Sequence, residues 1–263
     1  MIRFSAITGL NETIMSVSSK RDDLQRIVVL NPKGGCGKSS IATNLASAFS
    51  MGDAMPTLMD CDPQGASMRW LERRPRRRPP IHGIAAFRHS SSATRTWQRR
   101  VPLESRHVIV DTPAGIEASQ IYDLVYDASN LIIPVLPSPI DIRFAARFIA
   151  ELLLVAQLDR GSVRVGIVAN RTRQNTRSLR QLMRFLSSLK IPVIAVFRDS
   201  QCFVGAAGRG LGVAEMPAFR GKRDMESLMP LLSWLNQWSP PRAVQTPLLT
   251  NVPLEERGNK PIH

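Results

Sequence analysis

A glycine-rich loop at residues 31–40 carries the residue types that bind phosphate. A continuous apolar run, 26–31, precedes it, and a segment of helical character, 39–50, follows it. Glycines let backbone N–H groups close around phosphate oxygens, and the helix N-terminus adds the positive end of its dipole. The amine of Lys38 would neutralise β- and γ-phosphates, and the hydroxyl of Ser39 would ligate Mg²⁺. The predicted nucleotide-binding residues of this loop are Gly34, Gly35, Cys36, Gly37, Lys38, Ser39 and Ser40.

Acidic residues that follow two predicted strands complete the candidate site. Asp111 ends the strand 106–111, which is the usual geometry of an acid that holds the water shell of Mg²⁺. Asp60 and Asp62 lie two residues apart at the end of the strand 56–60, and alternation along a strand would send both to the same side. Two adjacent carboxylates need a cation or water. One of them is therefore a candidate for orienting an attacking water, and the other for the outer Mg²⁺ shell.

Strand and helix patterns alternate along the chain, which predicts an α/β fold. Such alternation gives a mostly parallel, twisted sheet with helices on both faces, and the ends of its strands bring the loop and the acids together. The predicted strands are 26–31, 56–60, 84–87, 106–111, 131–135, 163–169 and 193–197. The predicted helices are 39–50, 65–74, 116–126, 140–158, 174–190, 200–207 and 224–238. We expect one domain, 23–239, between an N-terminal tail, 1–22, and a proline-rich tail, 240–263.

Composition excludes several classes of protein. Apolar residues make up 43% of the 263 residues, too many for a wholly disordered chain. Three scattered cysteines without a CxxC pair argue against a disulfide scaffold and against an iron–sulfur site, and favour a reducing compartment. No uninterrupted apolar stretch reaches 18 residues, and the N-terminus lacks the pattern of a signal peptide. We therefore expect a cytoplasmic protein without a membrane partner.

The net charge of +14 is concentrated in two regions. Residues 69–107 carry a net charge of +9 and residues 161–223 one of +10, while the rest of the chain is mildly acidic. A genome-wide arginine bias would contribute to such a composition, but it does not explain the clustering. Concentrated arginine favours a polyanion as partner, because its guanidinium makes planar, bidentate contacts with phosphate.

One predicted helix, 174–190, carries arginines at helical spacing on the side opposite its leucines. A solvated helix face is the ordinary interpretation of such a stripe. Like charges at this spacing repel, however, and no acid lies between Arg160 and Arg198 to relieve the repulsion. We expect phosphate contacts here, in a turn before the last helix, and in the connector 73–78. The predicted DNA-binding residues are Arg173, Arg177, Arg180, Arg184, Arg220, Lys222 and Arg223.

With these motifs the sequence resembles the ParA/MinD superfamily of P-loop NTPases, whose phosphate loop is a deviant Walker A motif. Residues 33–40 look like that loop, 60–65 like the second motif of the family, and 108–113 like its Walker B strand. Residues 131–141 and 168–170 also match its pattern, and the resemblance spans roughly residues 25–238. The chain is similar to the short ParA type, since it has no room for an N-terminal helix-turn-helix domain. The short forms serve plasmids, chromosomes and protein organelles such as carboxysomes.

The resemblance implies a homodimer that forms with ATP and Mg²⁺. Because the phosphate and metal set is complete but the loop has no evident arginine finger, we expect ATP hydrolysis to be slow when the protein is alone. Lys33, at the mouth of the loop, would reach the nucleotide of the partner, while Lys38 and Ser39 hold phosphate and metal. Asp62 would position the hydrolytic water, and Asp111 would hold the water shell of the metal. The resulting metal set is Ser39, Asp60 and Asp111.

Further roles follow from the same resemblance. Asn170 would contact the adenine edge. The ATP-bound dimer would bind nucleoid DNA without sequence preference, and a small partner protein on the cargo would stimulate hydrolysis and release it. Cys36 stands where valine is commoner in the family, and with Cys61 it could sense oxidation near the nucleotide.

Two other functions fit the same fold. A membrane-associated relative of the MinD type would place the division site, but it needs a C-terminal amphipathic helix that the proline-rich tail does not favour. A metabolic or metal-cluster P-loop enzyme is the other alternative, and the cluster type would need bridging cysteines. ATP-dependent DNA binding separates the positioning ATPase from both.

Overall fold

Seven strands form a single parallel sheet in the order β3-β2-β4-β1-β5-β6-β7. The computed structural model describes residues 21, 23–88, 101–116, 118–125, 127–155, 163–189 and 191–239. The strands are β1 Gln25–Val29, β2 Thr57–Asp60, β3 His82–Ala85, β4 His107–Asp111, β5 Asn130–Val135, β6 Arg164–Thr172 and β7 Val193–Arg198. The helices are α1 Lys38–Ser50, α2 Ala66–Glu72, α3 Ala118–Val125, α4 Pro139–Val155, α5 Arg177–Ser188, α6 Gln201–Ala207 and α7 Ala218–Asn236. The predicted α/β class is confirmed.

The sheet separates two apolar cores, one on each face. Helices α3, α4 and α5 cover one face, and their inward residues pack on Val28, Val110 and Ile133. Helices α1, α2 and α7 cover the other face and pack on the alternate strand residues Ile27 and Ile109. Strands that are buried on both faces explain why their sequences are continuous apolar runs rather than alternating patterns. No helix in the described ranges is both long and apolar enough to cross a bilayer.

The last helix, α7, begins at Ala218, six residues before the predicted start. The prediction that Arg220, Lys222 and Arg223 lie in a turn before the last helix is therefore wrong. Gly221 is buried inside the helix, where an added Cβ would lie 3.1 Å from Cβ of Met216. The glycine therefore allows close packing of the helix and does not end it.

Helix α5 begins at Arg177, three residues later than predicted. Asn175 has a left-handed backbone with φ of 60°, and the hydroxyl of Thr176 caps the helix by accepting a hydrogen bond from the amide of Leu179. Arg173 thus lies in the loop ahead of the helix. The tails 1–20 and 240–263 lie outside the described residues, and so does the predicted end of the long helix at 156–158.

Candidate functional site

The phosphate loop runs from the end of β1 to the first turn of α1, as predicted. Gly37 precedes the helix with φ of 97°, and Gly35 also has a left-handed backbone, with φ of 76°. Asn170, at the end of β6, donates a hydrogen bond from Nδ2 to the carbonyl of Cys36 over 2.7 Å. An added Cβ at Gly37 would lie 2.1 Å from the same Nδ2 atom, so only glycine fits this position.

Lys38 is the first residue of α1, and only 7% of it is exposed. Its Nζ donates to the carbonyl of Lys33 over 3.1 Å, so the amine lies inside the curve of the loop. Ser39 follows in the first turn of the helix. Gly34 and Gly35, at the outer side of the curve, are exposed. The loop therefore places an ammonium, a hydroxyl and exposed backbone around one concave space, as phosphate binding requires.

Asp111 is buried at the end of β4 and is the clearest candidate for a metal shell. The hydroxyl of Ser67 donates to its Oδ2 over 2.7 Å, while Oδ1 has no hydrogen-bond partner among the described residues. Burial raises the pKa of Asp111 to about 7, and the nearby hydroxyls of Ser67 and Ser39 oppose this rise. A buried carboxylate oxygen without a partner is costly unless a cation or water meets it.

Asp60 faces the same region, because β2 and β4 pair with Asp60 opposite Asp111. Both of its oxygens already accept backbone hydrogen bonds over 3.0 Å, one from Asp62 and one from Met68 in the first turn of α2. Burial raises the pKa of Asp60, and these two hydrogen bonds work against it. In this arrangement Asp60 fixes the start of α2, and its role in the metal shell stays a prediction.

The oxygen donors fit Mg²⁺, which prefers carboxylate, hydroxyl, phosphate and water ligands. Within the described ranges, no three side chains of His, Cys, Asp or Glu are grouped as a metal cage. A metal here would therefore depend on the hydroxyl of Ser39, on phosphate and on water held by Asp111. This donor set is the one that P-loop proteins use.

Asp62 lies two residues beyond the end of β2. It is not part of the strand, so the alternation of strand side chains does not determine the side on which its carboxylate lies. It is half-buried, and its Oδ1 accepts a hydrogen bond from the amide of Gln64 over 2.8 Å in a tight turn. The carbonyl of Asp62 accepts a second one from Gly65, just before α2. The carboxylate is thus held on a short turn beside Asp60, and its role toward water stays a prediction.

Lys33 forms an ion pair that the sequence did not indicate. Its Nζ lies 2.5 Å from Oδ1 of Asp141 in the first turn of α4, and the hydroxyl of Ser138 donates to the other oxygen of that carboxylate. The sequence places Asp141 in the first turn of the predicted helix, but it does not indicate that Lys33 is the partner of this acid. Lys33 is partly exposed, so its ammonium lies at the edge of the loop and is held within its own chain.

Asn170 and the two cysteines are already engaged with their surroundings. Asn170 is buried, and its side chain joins the loop carbonyl of Cys36 to the amide of Arg171. Its contact with adenine stays a prediction. Burial raises the pKa of the Cys36 thiol and that of Cys61, the latter to about 12, which disfavours the reactive thiolate.

The predicted DNA-binding residues all lie on the surface, although the structure changes their surroundings. Three of them are exposed along α5, and another three in the first turns of α7. Arg173 pairs with Asp199 over 2.9 Å, so one acid outside the predicted stripe relieves part of its charge.

Arg198 and Asp224, 3.4 Å apart, connect the end of β7 to the start of α7. The two predicted patches lie on α5 and α7, which cover opposite faces of the sheet. We call them the basic surface, which consists of Arg173, Arg177, Arg180, Arg184, Arg220, Lys222 and Arg223.

The connector 73–78 is partly used inside the protein. Arg74 is bidentate to Glu215, with contacts of 2.8 and 2.9 Å, and the side chains of the pair are only 5% and 1% exposed. The same carboxylate accepts hydrogen bonds from the hydroxyl of Ser47 and the amide of Gly212, and Arg78 lies 3.9 Å away. We call this the Glu215 network. Because Arg74 is buried in it, the expectation that it contacts DNA is wrong.

Comparison with known proteins agrees with this geometry. The family described as the CobQ/CobB/MinD/ParA nucleotide binding domain matches residues 27–213. The maintenance of carboxysome distribution protein A of Halothiobacillus neapolitanus is 25% identical over 210 residues, which cover 79% of this chain and 94% of that protein. The protein of the same name from Gloeobacter kilaueensis is 31% identical over 212 residues, covering 76% and 88%.

A solved structure supports the fold. Apo McdA from Cyanothece superposes with a TM-score of 0.62 at 16% identity, over 80% of this chain and 99% of that one. The matched family region contains the phosphate loop, both acidic strand ends and Asn170. This chain belongs to the CobQ/CobB/MinD/ParA family of nucleotide-binding domains.

Proposed function

We propose that this chain is an ATP-dependent positioning ATPase that distributes carboxysomes over nucleoid DNA. The observation that carries the proposal is its similarity, over most of their length, to two proteins named for the maintenance of carboxysome distribution. The phosphate loop and the buried acids supply what a nucleotide cycle needs, and the basic surface supplies a DNA contact. A small protein on the cargo stimulates hydrolysis in this proposal, and the ATPase works in the cytoplasm, associated with the nucleoid.

Deleting the gene in its own host, with a fluorescent carboxysome shell protein and a labelled plasmid, tests the cargo. We expect carboxysomes to cluster, and we expect complementation by the wild type but not by a Lys38→Ala variant. Loss of the plasmid with evenly spaced carboxysomes would instead identify DNA as the cargo. A misplaced division site would favour the membrane-associated alternative.

In this cycle each site residue has a separate task. Lys38 and the loop amides bind phosphate, while Ser39 would ligate Mg²⁺ and Asp111 would hold its water shell. When bound, the metal neutralises charge on the phosphates. Asp62 orients the attacking water, and Lys33 must leave Asp141 to reach the nucleotide of a second copy. A cation supplied across a twofold interface would stabilise charge much as an arginine finger does.

Asp62→Ala should retain ATP binding but hydrolyse ATP about 100-fold more slowly, since a positioned proton acceptor contributes about 10²–10⁴ in rate. The variant should accumulate as a dimer with ATP. Lys33→Ala should bind ATP and remain monomeric. Phosphate release and light scattering after size-exclusion chromatography measure both properties. Wild-type turnover in Asp62→Ala would refute the role of that carboxylate, and a normal dimer in Lys33→Ala would refute the contact across the interface.

The basic surface should bind duplex DNA without sequence preference in the presence of ATP. The double variant Arg177→Glu and Arg180→Glu should bind random-sequence DNA more weakly, and its log K against log[salt] slope should fall by about 2. The control variant reverses Arg143 and Arg147, which are exposed on α4. Fluorescence anisotropy at several salt concentrations measures this, and an unchanged slope would leave α5 as a solvated helix face.

A further inference from the structure

Phe219 is a large apolar side chain that the fold leaves in water. It lies in the first turn of α7, and 82% of it is exposed. Packing such a ring into an apolar environment is favourable, because it removes a large apolar area from water. Isolated exposed apolar residues are common on protein surfaces, so the surroundings of Phe219 decide whether it marks a contact.

Cations surround this ring. Lys222 and Arg223 follow three and four residues later and are exposed, so they share its helix face. The guanidinium of Arg220 lies 5.4 Å from the centroid of the Phe219 ring. Within Ala218–Asn236, Asp224 is buried and paired with Arg198, and Glu226, two turns beyond Phe219, is the exposed acid. The start of α7 therefore presents an aromatic ring within positive charge.

The loops beside α7 lie close to this helix. Arg198 at the end of β7 pairs with Asp224, and the Cys202 thiol in the first turn of α6 lies near both and near Arg220, since burial and Asp224 raise its pKa while the two arginines lower it. The end of β7, the start of α6 and the start of α7 therefore meet near Phe219. A second copy of the chain would bring like charges together on this face. A polyanion that also offers flat apolar groups is the complementary partner, and nucleic acid has both.

We infer that Phe219 is an apolar contact to duplex DNA, where its ring packs against sugars and base edges in the minor groove. Arg220, Lys222 and Arg223 then contact the phosphates on either side. Proteins that bind the minor groove commonly place an apolar side chain among cations in this way. The inference rests on the proposed DNA-binding function and adds a contact that phosphate attraction alone does not provide.

The salt dependence of binding separates the two kinds of contact. Removing one phosphate contact lowers the log K against log[salt] slope by about 0.9, because one counterion fewer is released. Removing an apolar contact lowers affinity at every salt concentration and leaves the slope unchanged. Phe219→Ala should therefore bind duplex DNA about tenfold more weakly with the wild-type slope, in the range found for aromatic contacts to bases. Lys222→Ala should lower the slope.

The experiment measures anisotropy of a labelled random 30-base-pair duplex with ATP and Mg²⁺, from low to physiological salt. Met229→Ala is the matched control, since it removes another exposed apolar side chain from α7. Phe219→Leu should restore most of the affinity, and ATP binding by each variant confirms that it is folded.

Wild-type affinity in Phe219→Ala would overturn the inference, and so would a weaker affinity with a slope lowered by about 1. Binding to phosphatidylserine vesicles that is lost in Phe219→Ala, with DNA binding unchanged, would assign the ring to a lipid surface instead. If the wild type binds no DNA at any salt concentration, the proposed function fails, and this inference fails with it. That result is distinct from a failure of Phe219 alone.

Discussion

Lys38→Ala should weaken ATP binding by roughly 100-fold. Lys38 is only 7% exposed, and its amine donates a hydrogen bond to the carbonyl of Lys33 within the phosphate loop. Truncating one partner of a desolvated charge pair costs about 2–5 kcal/mol, and each 1.4 kcal/mol is a factor of ten in affinity. Isothermal titration calorimetry with ATP and Mg²⁺ measures the change.

The control for this variant is Arg147→Ala, which removes an exposed cation of α4 whose ion pair with Glu151 is on the surface. It should bind ATP with wild-type affinity, because exposed pairs contribute about 0–1 kcal/mol. Urea unfolding shows whether Lys38→Ala is folded. A folded Lys38→Ala protein whose Kd stayed within threefold of the wild type would show that this lysine does not bind the phosphates.

Arg74→Ala should destabilise the protein by about 3–5 kcal/mol, because it leaves the carboxylate of Glu215 buried without its partner. Of the groups that would remain around that carboxylate, the Ser47 hydroxyl and the Gly212 amide are uncharged, and Arg78 lies 3.9 Å away, beyond hydrogen-bond distance, so none replaces the bidentate guanidinium. Arg74 also lies 5.7 Å from the ring centroid of Trp70, so its removal loosens packing as well. Chemical denaturation in urea measures the change in the free energy of unfolding.

Arg76→Ala is the matched control, since Arg76 belongs to the same connector and is exposed. It should change stability by no more than about 0.5 kcal/mol. Equal losses in Arg74→Ala and Arg76→Ala would show that the Glu215 network does not stabilise the fold.

The pH dependence of stability gives a second check on this network. Burial alone would raise the pKa of Glu215, but hydrogen bonds from Arg74, Ser47 and Gly212 bring it below its usual value. The pKa of Glu215 is therefore lower in the folded protein than in the unfolded chain, and the unfolded chain binds the proton more readily. Stability falls as the pH drops from the usual pKa of a glutamate toward the lowered pKa of the folded protein. In Arg74→Ala the main hydrogen-bond donor is gone, and the loss of stability with falling pH should be smaller than in the wild type.

The local parts of the site could be predicted from the sequence because they are continuous in the chain. The geometry of the phosphate loop is fixed within ten residues by a strand, three glycines and a Gly-Lys-Ser turn. The position of Asp111 could be predicted because this residue ends its strand. Contacts between distant segments gave no such signal. Asn170 reaches a loop carbonyl 134 residues away, and Arg74 reaches Glu215 across 141 residues.

Residue type alone also misled the interpretation in two places. Residues 220–223 were expected in a turn before the last helix, but they belong to α7, where an added Cβ at Gly221 would lie only 3.1 Å from Cβ of Met216. Arg74 counted toward a basic patch in the sequence, whereas a buried acid neutralises it in the fold. In both cases a packing contact decides the outcome, Gly221 against Met216 and Arg74 against Glu215, and the residue types alone do not show that contact.

The strand order has a consequence for how the chain is made. β1 is synthesised first but pairs with β4, where Gln25 lies opposite His107, and with β5, where Ile27 lies opposite Asn130. At about 5–20 residues per second, roughly 4–16 s pass before the ribosome has made the first of these neighbours. During that time the apolar strand that will occupy the centre of the sheet has no partner. An unpaired apolar strand of this kind is a template for aggregation, so the nascent chain carries this hazard until β4 has been made.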